Sequence, residues 1–295
     1  MATTVDETPV PLATIPVTFW GRTWHRLKKN KLALAGLAVI GLIGLVALLA
    51  PWIAPYAEET QDTNALLQGP SWAHLMGTDR LGRDMLSRVI FGTRVSVTIA
   101  TVTSLIAMVF GTVLGAVSGY VGGRLDNILM RMVDVLYSFP DLLLIIIISV
   151  VIGQGVVGIT LSLSLVSWIT VARIVRGEVL SIKERPFVEA ARSLGFGGPR
   201  IVFREILPHV VAPIVVTLTF RIPSVILAES TLSFIGLGLQ PPASSWGVLA
   251  SDGWTAITFF PHLIIFPSLA IFVTILAFNI VGDGLRDAMS IRDQS

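Results

Sequence analysis

A chain of 295 residues that is 53% hydrophobic and only 14% charged exceeds what one water-soluble core can hide, since soluble domains carry about 25% charged residues. It has no cysteine, which excludes disulfides, thiolate catalysis and Cys-ligated metals. Its four histidines, His25, His74, His209 and His262, lack paired metal-ligand spacing, so no metal site is expected.

A mean hydropathy of +0.79 makes lipid the expected solvent and an all-α integral membrane protein the expected fold. The net charge of +2 gathers at the ends of apolar runs, a pattern of topology and not of a nucleic-acid face. Residues 1–18 are rich in Thr and Pro and read as a disordered tail.

Six apolar stretches reach the ~20 residues that a spanning helix needs. The first, Leu32 to Ala50, follows Arg22, Arg26, Lys28, Lys29 and Lys31 and stops at Pro51 and Pro55. It is longer than the ~7–15 residues of a signal-peptide core and reads as an uncleaved anchor. Together with the segment that follows, it makes residues 19–90 an N-terminal module, and residues 91–295 the packed transmembrane unit.

The second stretch runs from Val95 to Ser118. Ala107, Gly111, Gly115 and Gly119 recur along it every four positions, a row of small residues that admits a close helix neighbour from the same chain or another subunit. The third, Ile128 to Ile152, holds Asp134, Pro140 and Asp141. Pro140 predicts a hinge or kink, and Arg131 is spaced to pair locally with Asp134. The fourth stretch is Val156 to Val175.

The long polar loop 177–208 comes next. Pro186 can open a short helix with Phe187, Ala191 and Leu194 on one face. Gly195 is placed to end it in a left-handed turn. Pro199 can open a second helix through Ile201, Val202 and Ile206, closed by Pro208. Ala190, Ala191, Gly195, Gly197 and Gly198 would leave room at the bend for a partner surface.

In the fifth stretch, His209 to Leu232, Arg221 falls about 20 Å into a hydrocarbon layer of ~30 Å. A charge there must face a polar cavity or a partner. Arg221 and Glu229 are therefore candidates either for a solute path or for structural ion pairs. Between Gln240 and Trp254 the chain reads as non-helical, with Trp246 and Trp254 as interfacial anchors or, alternatively, as part of a gate or a contact with a solute-delivering protein. The sixth stretch is Phe260 to Val281.

With both termini in the cytoplasm, sixteen of the 21 Lys and Arg residues lie inside and four outside, leaving Arg221 within its span. That asymmetry sets the expected orientation. There is no GxxxxGK[ST] phosphate loop and no Ser-His-Asp or paired-carboxylate constellation, so neither catalysis nor ATP binding is expected of this chain. A self-sufficient secondary transporter is a competing reading, although no internal repeat is visible.

The segment Phe187-Val-Glu-Ala-Ala-Arg-Ser-Leu-Gly195 with Ile206-Leu-Pro208 resembles the EAA signature of ABC importer permeases, with Glu205 departing from the aliphatic residue common at its place. Met76-Gly-Thr-Asp-Arg-Leu-Gly-Arg-Asp-Met-Leu-Ser-Arg88 and Phe19 to Tyr56 are similar to the C-type permease of dipeptide, oligopeptide and nickel importers. Ser138-Phe-Pro140, Glu229 to Gly238 and Gly282 to Asp287 extend the likeness over most of the chain. The resemblance implies one N-terminal helix plus a five-helix type I importer core in a bacterial-type plasma membrane. It assigns Phe187, Glu189, Ala190, Ala191, Gly195, Leu207 and Pro208 to coupling with an ATPase. The implied partners are a second, homologous permease, two cytoplasmic ATPase subunits that hold ATP and magnesium, and an extracytoplasmic solute-binding protein. Peptides are the first solute class it implies, nickel the second.

Overall fold

A computed structural model describes residues 19–240 and 243–289, so the expected 1–18 tail and the chain's last residues lie outside it. The regular elements among the described residues are helices. The first two are α1 (Phe19–Lys29) and α2 (Lys31–Ile53), separated by Asn30, whose side chain caps α2 by accepting from the Ala33 N–H. α2 runs on past Pro51, which sits in its last turn, and ends at Ala54. A loop leads to α3 (Met85–Val121), capped by Asp84, which accepts from Ser87 N–H at 2.8 Å. α3 thus starts ten residues before the expected apolar stretch. At ~1.5 Å per residue it is long enough to project beyond a bilayer.

The expected third span is not one straight helix. α4 (Gly123–Tyr137) and α5 (Asp141–Ile152) meet at 89°. Pro140 supplies no N–H and steers Phe139 away from helical backbone. The result is a full elbow, not a kink. α5 alone, at about 18 Å, is too short to cross. Among the described residues, five helices are long and apolar enough to span, or six if the elbow pair counts as one.

α6 (Val156–Ile182) lies along α3. A Cβ added at Gly111 would stand 2.5 Å from Val171 Cβ and 2.9 Å from the Trp168 carbonyl, and one at Gly119 would stand 3.0 Å from the Arg176 carbonyl. The small-residue row is therefore filled from within the chain. α7 (Pro186–Ser193) and α8 (Gly198–Arg200) follow. A π-helical turn over Ile201–Ile206 leads straight into α9 (Leu207–Phe234). α10 (Trp246–Trp254) and α11 (His262–Met289) complete the fold.

Two expectations on the α9–α10 connection change. Residues 246–254 are helical, because Ser245 caps them by accepting from Val248 N–H. Trp246 is an interior residue, 1% exposed, and donates its indole N–H to the Val89 carbonyl at 3.2 Å. Trp254, half exposed, keeps a position suited to an interface. Polarity is distributed as lipid requires. Thr103, Ser162 and Thr274 are buried, while Leu48 and Val151 are largely exposed.

Candidate functional site

The loop between α6 and α9 is a compact joint. Arg185 precedes Pro186, which occupies the first position of α7, where a missing N–H costs nothing. Gly195 has φ +78° and ends α7. Its N–H donates to the Arg192 carbonyl at 2.9 Å and the Phe196 N–H to the Ala191 carbonyl at 3.1 Å, the two bonds of a Schellman turn.

The inward face of α7 is Val188 and Ala191, with Phe187 at its edge. Leu194, expected on that face, is the capping residue and is 73% exposed. The α-helical period stops one residue too early to carry it inward. Val188 and Ala191 share one apolar cluster with Val175, Val179 and Ile182 of α6, and with Ile201, Ile206 and Val210 ahead of and within α9. Phe187 also stacks on His209, ring centroids 4.8 Å apart. Ala191 is therefore held inside the chain and is not part of the open surface, whereas Glu189, Ala190 and Gly195 are exposed.

The second helix of the loop does not close at Pro208. The Leu207 N–H bonds back to the Val202 carbonyl, five residues away. This wider turn loosens the ladder just where Pro208 lacks a donor, and the helix continues. Leu207 is half-buried against the cluster and Pro208 is exposed. α7 thus bears directly on a rod that runs from Gly198 to Phe234.

Contacts that no local spacing signals brace the joint. Arg176 of α6 holds Asp126 of α4 in a fork, Nε to Oδ1 and the terminal nitrogen to Oδ2, both at 2.6 Å. Ser118 of α3 donates to the same carboxylate. Lys183 donates to the Gly119 carbonyl at 3.0 Å. Asp134 pairs across helices with Arg173 at 3.6 Å and not with Arg131, its expected local partner. Arg173 also lies over the Tyr137 ring.

Farther along α9, Arg221 opens on a cavity of about 300 Å³ lined also by Asp141, Ser167, Ser224 and Thr231. It donates to the Ser167 carbonyl of α6 at 2.8 Å. The cavity thus lies between α5, α6 and α9. Glu229 stands apart from it. Its carboxylate is 1% exposed and accepts from Ser233 at 2.7 Å and from Ser245 at 2.6 Å, tying α9 to the cap of α10.

At that end, residues 54–84 are tightly folded. Asp79 takes Arg83 and Arg88, each at 2.7 Å. Asp84 takes His74 at 3.0 Å. Glu58 accepts from Ser244 at 2.6 Å, fixing the loop to the chain ahead of α10.

The described residues thus form a helical protein of the membrane-spanning class, with one structured loop packed against two helices that line a polar cavity. The comparisons with known proteins narrow that class. Residues 111–292 match the model of the binding-protein-dependent transport system inner membrane component, and residues 18–70 match the N-terminal TM domain of oligopeptide transport permease C. The chain is 42% identical over 267 residues to the dipeptide transport system permease protein DppC of Bacillus subtilis, covering 90% of this chain and 83% of that one. It is 43% identical over 286 residues to the glutathione transport system permease protein GsiD of Pectobacterium atrosepticum, covering 94% and 95%. In fold it is similar to a chain of the inward-facing methionine ABC transporter MetNI, with TM-score 0.60, 17% identity, and coverage of 70% of this chain and 98% of that one. This chain belongs to the family of binding-protein-dependent transport system inner membrane components, and its fold is that of a type I ABC importer permease.

Proposed function

We propose that this chain is the C-type permease subunit of an ABC importer for dipeptides or oligopeptides, and that loop 177–208 takes the push of a cytoplasmic ATPase. The observation that carries the mechanism is the shared packing of α7 against α6 and the Gly198–Phe234 rod. A partner seated on the exposed side of α7, at Glu189, Ala190 and Gly195, moves that helix as a body because its Schellman turn and apolar face are fixed. Both helices it pushes on line the Arg221 cavity. Closure of the ATPases thereby changes the width of that cavity.

Arg221 and Asp141 then form part of the solute path, offering a cation and an anion to a zwitterionic peptide. Glu229 acts from outside the path by holding α10. Residues 19–90 serve as an N-terminal module on the five-helix core. The relatives are named for dipeptide, oligopeptide and glutathione transport, which supports the peptide class. The chain hydrolyses nothing itself. ATP and magnesium belong to two partner ATPases, a homologous permease supplies the other half of the path, and an extracytoplasmic binding protein delivers the solute. Both termini lie on the cytoplasmic side of a bacterial plasma membrane.

The test is isolation of the chain with its accompanying subunits, reconstitution, and measurement of labelled dipeptide uptake. Uptake that requires ATP and an added binding protein is expected. Uptake by the chain alone on an ion gradient would overturn the proposal.

A further inference from the structure

Helix α1, Phe-Trp-Gly-Arg-Thr-Trp-His-Arg-Leu-Lys-Lys, divides into two sides. At ~100° per residue, Phe19, Trp20, Thr23, Trp24 and Leu27 fall on one arc, and Arg22, His25, Arg26, Lys28 and Lys29 on the other. The chain itself uses only the middle of the apolar arc. Thr23 and Leu27 are buried, and Leu27 packs with Ala33 of α2 and Ala288 of α11. The flank is left open, with Trp20 52% and Trp24 50% exposed. Trp20, Trp24 and Lys28 follow one another at i, i+4 and i+8 along that flank. The Lys28 ammonium lies 5.2 Å from the centre of the Trp24 ring.

The position of α1 relative to the hydrocarbon is set by Asn30. Its N–H donates to the Leu27 carbonyl at 3.0 Å, closing α1, and its side chain opens α2. One residue therefore separates α1 from a 23-residue apolar spanning helix. A spanning helix must begin at a bilayer boundary, so α1 is held at that boundary. α2 in turn exposes Leu32, Leu42, Leu45 and Leu48. The sequence carries no Asp or Glu between Glu7 and Glu58, so α1 and α2 supply no carboxylate to neutralise Lys28.

An indole at this depth has an apolar body for the acyl boundary and an N–H for the wet side. An ammonium beside it is placed to meet a phosphate, and basic residues at a membrane surface favour anionic lipid by roughly fivefold each. We propose that the Trp20–Trp24–Lys28 row is a binding site for the headgroup of an anionic phospholipid in the leaflet where α1 lies. The two indoles seat the glycerol region, and Lys28 pairs with the phosphate. The site makes attachment of α1, and through Leu27 and Ala288 the end of α11, dependent on lipid charge.

The experiment uses the full chain with whatever subunits accompany it, in phosphatidylcholine nanodiscs carrying a minor fraction of brominated lipid. Tryptophan quenching by brominated phosphatidylglycerol is compared with quenching by brominated phosphatidylcholine at equal bromine content. Subtracting a Trp20→Phe/Trp24→Phe variant isolates the two indoles of α1 from the other five of the seven tryptophans. Quenching of the α1 component by the anionic lipid should be about half-maximal at a roughly fivefold lower fraction than by the zwitterionic lipid. Lys28→Gln should remove that preference and leave the melting temperature unchanged. Equal quenching by the two lipids would overturn the proposal, since the contact would then be apolar without headgroup recognition. Absence of quenching by either would overturn it too, because a protein surface would then cover the row. A Lys28→Gln variant that keeps the preference would also be fatal to it.

Discussion

Replacing Arg176 with Gln tests whether the joint below loop 177–208 is held by long-range electrostatics. The change removes both 2.6 Å bonds to Asp126 and leaves a carboxylate whose side chain is 11% exposed with Ser118 as its remaining side-chain donor. Breaking a buried pair from one side costs about 3–5 kcal/mol. The Arg176 side chain is itself 32% exposed, so water can reach the vacated space and about 2 kcal/mol is the better expectation. Asp126→Asn should cost a similar amount, because it removes the charge that the fork was shaped to meet. The double variant should lose much less than the sum, with a coupling of about 1–3 kcal/mol. The assay is thermal unfolding of the four proteins in one detergent and lipid, followed by size-exclusion fluorescence. Additive losses would mean that the two side chains act independently and that the fork does not hold the joint.

Three further outcomes follow from other parts of the fold. Gly111→Val would force α3 and α6 apart, because a Cβ added there would stand only 2.5 Å from Val171 Cβ; overpacking of this kind should lower stability by about 1–3 kcal/mol, and an unchanged melting temperature would show that the helices are not in close contact. Arg221→Leu should abolish most uptake while the subunits still co-purify, with Arg221→Lys retaining part of it; full uptake in Arg221→Leu would remove Arg221 from the path. A single cysteine at position 184, in a chain that has none, should resist an impermeant thiol reagent added to intact cells; labelling from outside would reverse the proposed orientation.

Much of this architecture is local and was therefore legible in the sequence. The apolar lengths give the spanning helices, Gly195 gives the left-handed end of α7, and the Gly111–Gly119 row gives a close helix crossing. What was missed depends on partners distant in sequence or on the response of a helix to proline. Pro140 and Pro208 look alike as helix breakers. The first turns the chain by 89°, and the second is absorbed by a π-helical turn. The choice depends on what surrounds each proline: Ile201 and Ile206 are locked into the core ahead of Pro208, whereas Ser138, Phe139 and Pro140 are exposed. Trp246 reads as an interfacial anchor because its composition suits one, and only the carbonyl of Val89, far away in sequence, makes it an interior residue. Asp126 and Arg176 lie fifty residues apart, beyond any helical spacing rule. Within the candidate loop, burial moves Ala191 from the expected open surface into the core.

Ala190 and its neighbour Ala191 therefore give the most direct test of the proposed coupling role of loop 177–208. Ala190 is exposed on α7 and Ala191 is buried beside it, so Ala190→Trp adds bulk to the proposed docking face while Ala191→Trp perturbs the fold itself. Surface substitutions away from special features usually change stability by no more than about 0.5 kcal/mol, so Ala190→Trp should express and melt like the parent. The measurement is retention of the ATPase during purification, together with dipeptide uptake, at matched membrane levels. Ala190→Trp is expected to lose both with an intact fold; full retention and full uptake would contradict a coupling role for this loop.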